Sequence, residues 1–395
     1  MLSQRILNME PSATNALFDR VAKLREAGED IISFNVGEPD FITPDIVRDA
    51  CKEALDAGKT KYAPVTGVGP LKEAICEKLW RDNQVHYDPD QICISTGAKQ
   101  AVFNSLMAIC DPGDEIIVPT PCWVSYVEMI KLAGGIPVLV ETDEVFQLDM
   151  KKIKESLTDK TKGIIIDTPN NPTGACYNRE SLLELGNLAV EHDFYIIADE
   201  VYETLIYDGN VHVCVASLGE DIYERSIVVN GLSKSHAMTG WRVGYTAAPK
   251  PVAKGIAALQ SHMTSNSTTF VQWAAVEALK NGAEFIAQMH EEFERRRNYV
   301  YETVNALPGI TCVKPGGAFY VMADVSSYFG KEIDGNVIKD SVDFCNYLLN
   351  EAKVAIMPGK AFWAPDTVRI AYPESMENLQ EGLGRIRKAL ERFGI

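Results

Sequence analysis

Seven short apolar runs, at 92–95, 115–118, 136–140, 163–167, 195–198, 226–229 and 243–247, recur through the middle of this 395-residue chain. Helical patterns such as 181–192 separate most of them. Strands alternating with helices imply crossover connections rather than hairpins, so the spacing predicts an α/β fold with a mostly parallel, seven-stranded sheet covered by helices. This large domain is expected over 46–284. A Glu- and Arg-rich amphipathic helix at 283–306 leads out of it, followed by a strand in Gly316-Gly317-Ala318-Phe319-Tyr320-Val321-Met322 and helices near 341–352 and 375–393. Residues 285–395 and 1–45 together are expected to form a smaller α+β domain.

The 38 Lys and Arg against 55 Asp and Glu give a net charge of -17. Such an acidic surface argues against nucleic acid and anionic membranes as partners. An anionic substrate would then need local positive charge, which directs attention to Lys99, Arg242 and Arg369. The nine cysteines are scattered, with no Cys-x-x-Cys, and read as reduced, buried small residues. The six histidines show no metal-ligand spacing, so no metal site is expected. No window approaches the roughly 18 apolar residues of a membrane span and no secretory leader is seen, so a cytoplasmic protein is expected.

Polar groups collect at the ends of the apolar runs, where open α/β sheets bind ligands. Gly163-Ile164-Ile165-Ile166-Asp167 breaks into Thr168-Pro169-Asn170-Asn171-Pro172-Thr173-Gly174, and Phe194-Tyr195-Ile196-Ile197-Ala198 ends in Asp199-Glu200-Val201-Tyr202. Ile92-Cys93-Ile94-Ser95 turns through Thr96-Gly97 into Ala98-Lys99-Gln100-Ala101. A helix starting there offers free N–H groups and partial positive charge to a phosphate. In Ser233-Lys234-Ser235-His236-Ala237-Met238-Thr239-Gly240-Trp241-Arg242, the lysine amine can form a Schiff base with an aldehyde, and the arginine fork eight residues on can grip phosphate. That pairing suits pyridoxal phosphate.

Taken in order, these segments resemble the class I aminotransferases, pyridoxal-phosphate enzymes of fold type I, and within them the bacterial aspartate aminotransferases. The similarity runs from Pro11-Ser12-Ala13-Thr14 and Asn35-Val36-Gly37-Glu38-Pro39-Asp40-Phe41 to Val368-Arg369-Ile370-Ala371-Tyr372. It implies that Lys234 bonds the cofactor and acts as base, that Asp199 holds the protonated pyridine nitrogen, and that Asn171 and Tyr202 bond the phenolic oxygen. Trp123 would stack on the ring, though a core role is as natural for a tryptophan. Phosphate would be held by Gly97, Ala98, Lys99, Ser233 and Arg242, with Tyr62 reaching across from the second subunit of a homodimer with shared active sites. Arg369, assisted by Gly37 and Asn171, would grip the substrate α-carboxylate, and Lys99 would meet a distal carboxylate.

The implied reaction moves an amino group from an L-amino acid, aspartate first, to 2-oxoglutarate by a ping-pong mechanism. Amino acids and 2-oxo acids are thus the expected partners. An alanine, aromatic or broad-range aminotransferase, or a β-eliminating lyase, are the alternatives within this fold. A ligand-sensing regulator is disfavoured because the first motif begins near residue 11, and a non-catalytic scaffold because Lys234, Asp199 and Arg369 are intact. Two departures from relatives stand out. Gly231 occupies a position where many carry a hydroxyl for phosphate, and Glu10 stands where prephenate-accepting relatives have a lysine, so prephenate is not an expected substrate.

Overall fold

The computed structural model describes residues 2–10, 13–333 and 335–394. Pro11 and Ser12 of the first motif lie outside the described residues. All seven apolar runs are strands: β1 Ile92–Ser95, β2 Glu115–Thr120, β3 Ile136–Glu141, β4 Thr161–Asp167, β5 Tyr195–Asp199, β6 Ser226–Gly231 and β7 Gly244–Ala247. They form one sheet in the order β1-β7-β6-β5-β4-β2-β3. Pairing is parallel from β6 through β5, β4 and β2 to β3, whereas β7 runs antiparallel to both β6 and β1.

The central strands read as unbroken apolar runs because both of their faces are covered. Ile165, Ile197, Ile227 and Val229 face one layer, where Ala101, Val102 and Leu106 of the helix Ala98–Ile109 and Val252 and Ile256 of the helix Lys250–Met263 pack. Ile164, Ile166, Ile196 and Ala198 face the other, against Leu182 and Leu185 of the helix Arg179–Glu191. Among the described residues β3 pairs only with β2, and its exposed Ile136 and Leu139 mark it as an edge.

The helix Ala283–Asn305 begins immediately after Gly282 ends the helix Thr269–Asn281. It packs into a separate apolar core with the strands Tyr320–Asp324 and Thr367–Ala371 and the helix Met376–Glu391. Ile32 and Phe34 join this core, and Ile32–Ser33 pairs in parallel with Val354–Ala355. The antiparallel pairing of Tyr320–Asp324 with Thr367–Ala371 sets Arg369 opposite Met322, while Met357 lies across from it on the other side. Backbone bonding of Ala371 to the Phe34 carbonyl then brings residues 34–37 beside Arg369. Among the described residues no helix is long and apolar enough to cross a membrane.

Candidate active site

The parallel strands β4, β5 and β6 end side by side, and the cavity lies at those ends. Asp167 and Asp199, the last residues of β4 and β5, are register partners. β6 passes into the short helix Leu232–Ser235, which delivers Ser233 and Lys234. Pairing of β7 with both β1 and β6 sets Gly244 opposite Ser95 and Gly231, so Arg242, Gly97 and Ser233 gather at one place. Gly97 has φ 83°, a left-handed conformation that favours glycine, and a Cβ there would strike the Arg242 guanidinium.

The resulting cavity, of about 250 Å³, is lined by Gly37, Ala98, Lys99, Trp123, Asn171, Asp199, Tyr202, Ser233, Lys234, Arg242 and Arg369 among the residues singled out above. Two are absent from the lining. Gly97 sits behind it with its N–H donated to the Ser95 carbonyl at 2.8 Å, and Tyr62 stands apart, 92% exposed. Thr14, Tyr126, Asp167, Val201, Thr239 and Tyr320 also line it, and sequence reasoning gave none of them a role. The signal was present for Asp167, an acid ending a buried run in the manner of Asp199, and for Tyr126, three residues beyond Trp123.

Charge is distributed unevenly around the cavity. At its floor the Asp199 Oδ2 accepts the Tyr126 hydroxyl at 2.8 Å, and the Asp167 Oδ2 accepts the Asn171 N–H at 2.9 Å. The Oδ1 atoms of both acids are buried without a partner. Burial pushes both carboxyls above their usual range; Tyr126, the Val201 N–H and Lys234 oppose this at Asp199, whereas the Asp199 charge adds to it at Asp167. Lys234 donates to the Gly37 carbonyl, and burial, helped by the charges of Arg369 and Arg242, lowers its amine to about 8.

Arg369 is 3% exposed. Its guanidinium bonds Asn171 Oδ1 at 3.0 Å and the Asn35 carbonyl at 2.8 Å, and lies 4.6 Å from the Tyr320 ring centroid. Tyr320 and Tyr202 join hydroxyl to hydroxyl at 2.8 Å. A Cβ at Gly37 would collide with the Tyr320 hydroxyl, so a side chain there would displace that tyrosine. At the mouth the Lys99 ammonium lies 4.7 Å from the Trp123 ring centroid, within cation–π range, and burial with the Arg242 charge holds its pKa below the ordinary value.

Both departures acquire a physical context. A Cβ at Gly231 would come within 3.0 Å of the Val243 carbonyl and 3.1 Å of Gly244 Cα, so the close approach of β6 to β7 leaves little space for a serine. Glu10 is exposed and does not line the cavity, and its backbone N–H reaches Glu128 Oε2 at 3.3 Å.

The family model for aminotransferase class I and II matches residues 29–386. A probable aspartate/prephenate aminotransferase of Aquifex aeolicus is 45% identical, with 99% of each chain covered. Among solved structures, the aspartate aminotransferase of Rhizobium meliloti superposes with a TM-score of 0.96 at 38% identity, covering 99% of each chain. The Thermus thermophilus aspartate aminotransferase with maleate superposes with a TM-score of 0.93 at 43% identity, covering 99% of this chain and 100% of that one.

Proposed function

The chain belongs to the class I and II aminotransferases, and from that premise we propose that its cavity holds pyridoxal phosphate and transfers the amino group of aspartate to 2-oxoglutarate. The observation that carries this reading is the convergence of Lys234, Asp199 and Arg369, from segments far apart in the chain, on one cavity. The donor set fits the cofactor. Asp199 leaves a buried Oδ1 free for a ring N–H⁺, and Arg242, Ser233 and the first-turn amides of Ala98 and Lys99 fit a phosphate. Pyridoxal phosphate bound there supplies an electron sink for charge developing at the substrate α-carbon.

The chain's own groups do the rest. With its pKa lowered to about 8, Lys234 has a neutral fraction at pH 7 and can take the proton from the substrate α-carbon. Arg369, held by Asn171 and Asn35, presents a fixed fork to the α-carboxylate. Lys99 stands at the mouth, where a distal carboxylate would meet it. Maleate, the dicarboxylate named with the Thermus relative, supports the same choice of substrate. Tyr62, 92% exposed on the single chain, is suited to reach a second subunit's phosphate site in a homodimer. The nine free cysteines fit work in a reducing cytoplasm.

A panel of amino acids offered with 2-oxoglutarate tests the assignment. Aspartate should be the best donor, and added oxo acid should be required for turnover. Turnover without oxo acid would identify a lyase, and preference for alanine or aromatic donors would reject aspartate. Prephenate offered as acceptor belongs in the same panel, given the Aquifex relative's name.

A further inference from the structure

We propose that Asp167 keeps its carboxyl proton and serves as a positioning residue for Asp199, so that the two acids together carry one negative charge and accept one cationic ring N–H. The inference rests on the cofactor reading above and adds a second acid to it.

Asp167 and Asp199 are register partners on adjacent parallel strands, which lie roughly 4.8 Å apart, and both line the cavity. Their surroundings differ. Asp199 accepts the Tyr126 hydroxyl, sits on the Val201 N–H and feels the Lys234 ammonium. Asp167 accepts one backbone N–H, from Asn171. The titratable groups that face Asp167 are Cys122, Tyr126, Tyr177, Tyr202 and Tyr320, all neutral at pH 7, together with Asp199 itself. Among the described residues no Lys or Arg is ion-paired with it.

Two ionised carboxylates in one dry site repel strongly, and the acid with fewer donors takes the proton. That acid is Asp167, whose carboxyl burial and the Asp199 charge raise well above the usual range. The proton sits on Oδ1, the buried oxygen that has no donor. Asp199 then stays ionised and aimed by Tyr126. The arrangement also protects the base. A doubly negative floor would stabilise the Lys234 ammonium and withdraw its neutral form, because a nearby negative charge raises an amine's pKa.

The test is infrared spectroscopy of the apoprotein and the cofactor-loaded protein at neutral pH, combined with pyridoxal phosphate titrations. A protonated-carboxyl C=O band should appear in wild type, vanish in Asp167→Asn and persist in Tyr126→Phe. Asp167→Ala should weaken cofactor uptake by more than about tenfold, and Asp167→Asn should restore it to within about threefold, because an amide can stand in for the neutral acid. Absence of the band, or Asn no better than Ala, overturns the proposal. Failure of wild type to take up pyridoxal phosphate would instead overturn the functional reading, and the band in the apoprotein would still decide the state of Asp167.

Discussion

Two buried acid clusters lie next to each other at the end of β5, one resolved within the protein and the other left open. Asp199 and Asp167 both line the cavity, and no Lys or Arg is ion-paired with either among the described residues. Glu200, the next residue, is completely buried among protein groups; it accepts the Val215 N–H at 3.3 Å and pairs with His212 Nε2 at 2.9 Å. Glu203 accepts from Lys78, from Asn230 at 2.7 Å and from Asn83 at 2.8 Å. The ligand atoms of Glu200, Glu203 and His212 come within 4.8 Å of one another, a spacing compatible with a metal ion. The Lys78 ammonium, however, already supplies that cluster's positive charge. A closed cluster marks structure, and an open one marks the place where a ligand's charge belongs.

The largest expected effect breaks the closed cluster. Glu203→Ala would strand the buried Lys78 ammonium, and removing one partner of a buried ion pair costs about 3–5 kcal/mol. Denaturant unfolding should show that loss, while cofactor affinity of the folded fraction should stay near wild type. Loss of affinity without loss of stability would mean that the two clusters are not separate in function.

The reverse pattern is expected at Asp199. Asp199→Ala removes a preorganised charge from the proposed reacting centre and should lower kcat/KM for aspartate by roughly 10²–10³-fold. Its unfolding free energy should change much less than that of Glu203→Ala, since the acid there is strained by burial rather than satisfied. A variant that unfolds readily yet turns over normally would invert the assignment of the two clusters.

Much of this contrast was legible in the sequence. The seven runs announced the strands because each is apolar on both faces, and Lys234, the two strand-end turns and Arg369 announced the candidate site. The antiparallel direction of β7 was not legible, because a short strand reads alike in either direction. Asp167 was passed over because its neighbours Pro169, Asn170 and Asn171 explain the segment as a turn. Tyr126 and Tyr320 were passed over because an aromatic on a helix start or a buried strand is ordinary core. Their roles depend on contacts across elements, with Asp199 at 2.8 Å and Tyr202 at 2.8 Å, that no local pattern records.

A smaller effect is expected at the mouth, where the proposed distal carboxylate would meet Lys99. Lys99→Ala should lower kcat/KM for aspartate relative to alanine by about ten- to a hundredfold, the worth of a charged hydrogen bond of roughly 1.5–3 kcal/mol. In the proposed binding mode, contacts from Arg369 serve both substrates and cancel in the ratio. Equal losses for the two would leave Lys99 as a residue of the phosphate turn alone.

The smallest effect separates the clusters by pH. The Lys234 amine, lowered to about 8, should be about one-tenth neutral at pH 7 and nine-tenths neutral at pH 9, so covalent capture of pyridoxal phosphate by the apoprotein should speed up by roughly tenfold over that interval. In the closed cluster the sign is opposite. Burial opposes charging of His212, yet the Glu200 carboxylate wins and lifts its pKa above the ordinary 6.5. A raised folded-state pKa contributes stability that is complete below 6.5 and is lost as pH rises through the folded value. Asp167 and Lys234 add their own pH terms, so the measurement is the difference in melting temperature between wild type and His212→Gln. That difference should shrink from pH 6 to pH 9, while the capture profile of the variant still rises as in wild type. A capture profile that moved with His212 would show that the closed cluster reaches the lysine through β5, and the two acid clusters would have to be treated as one.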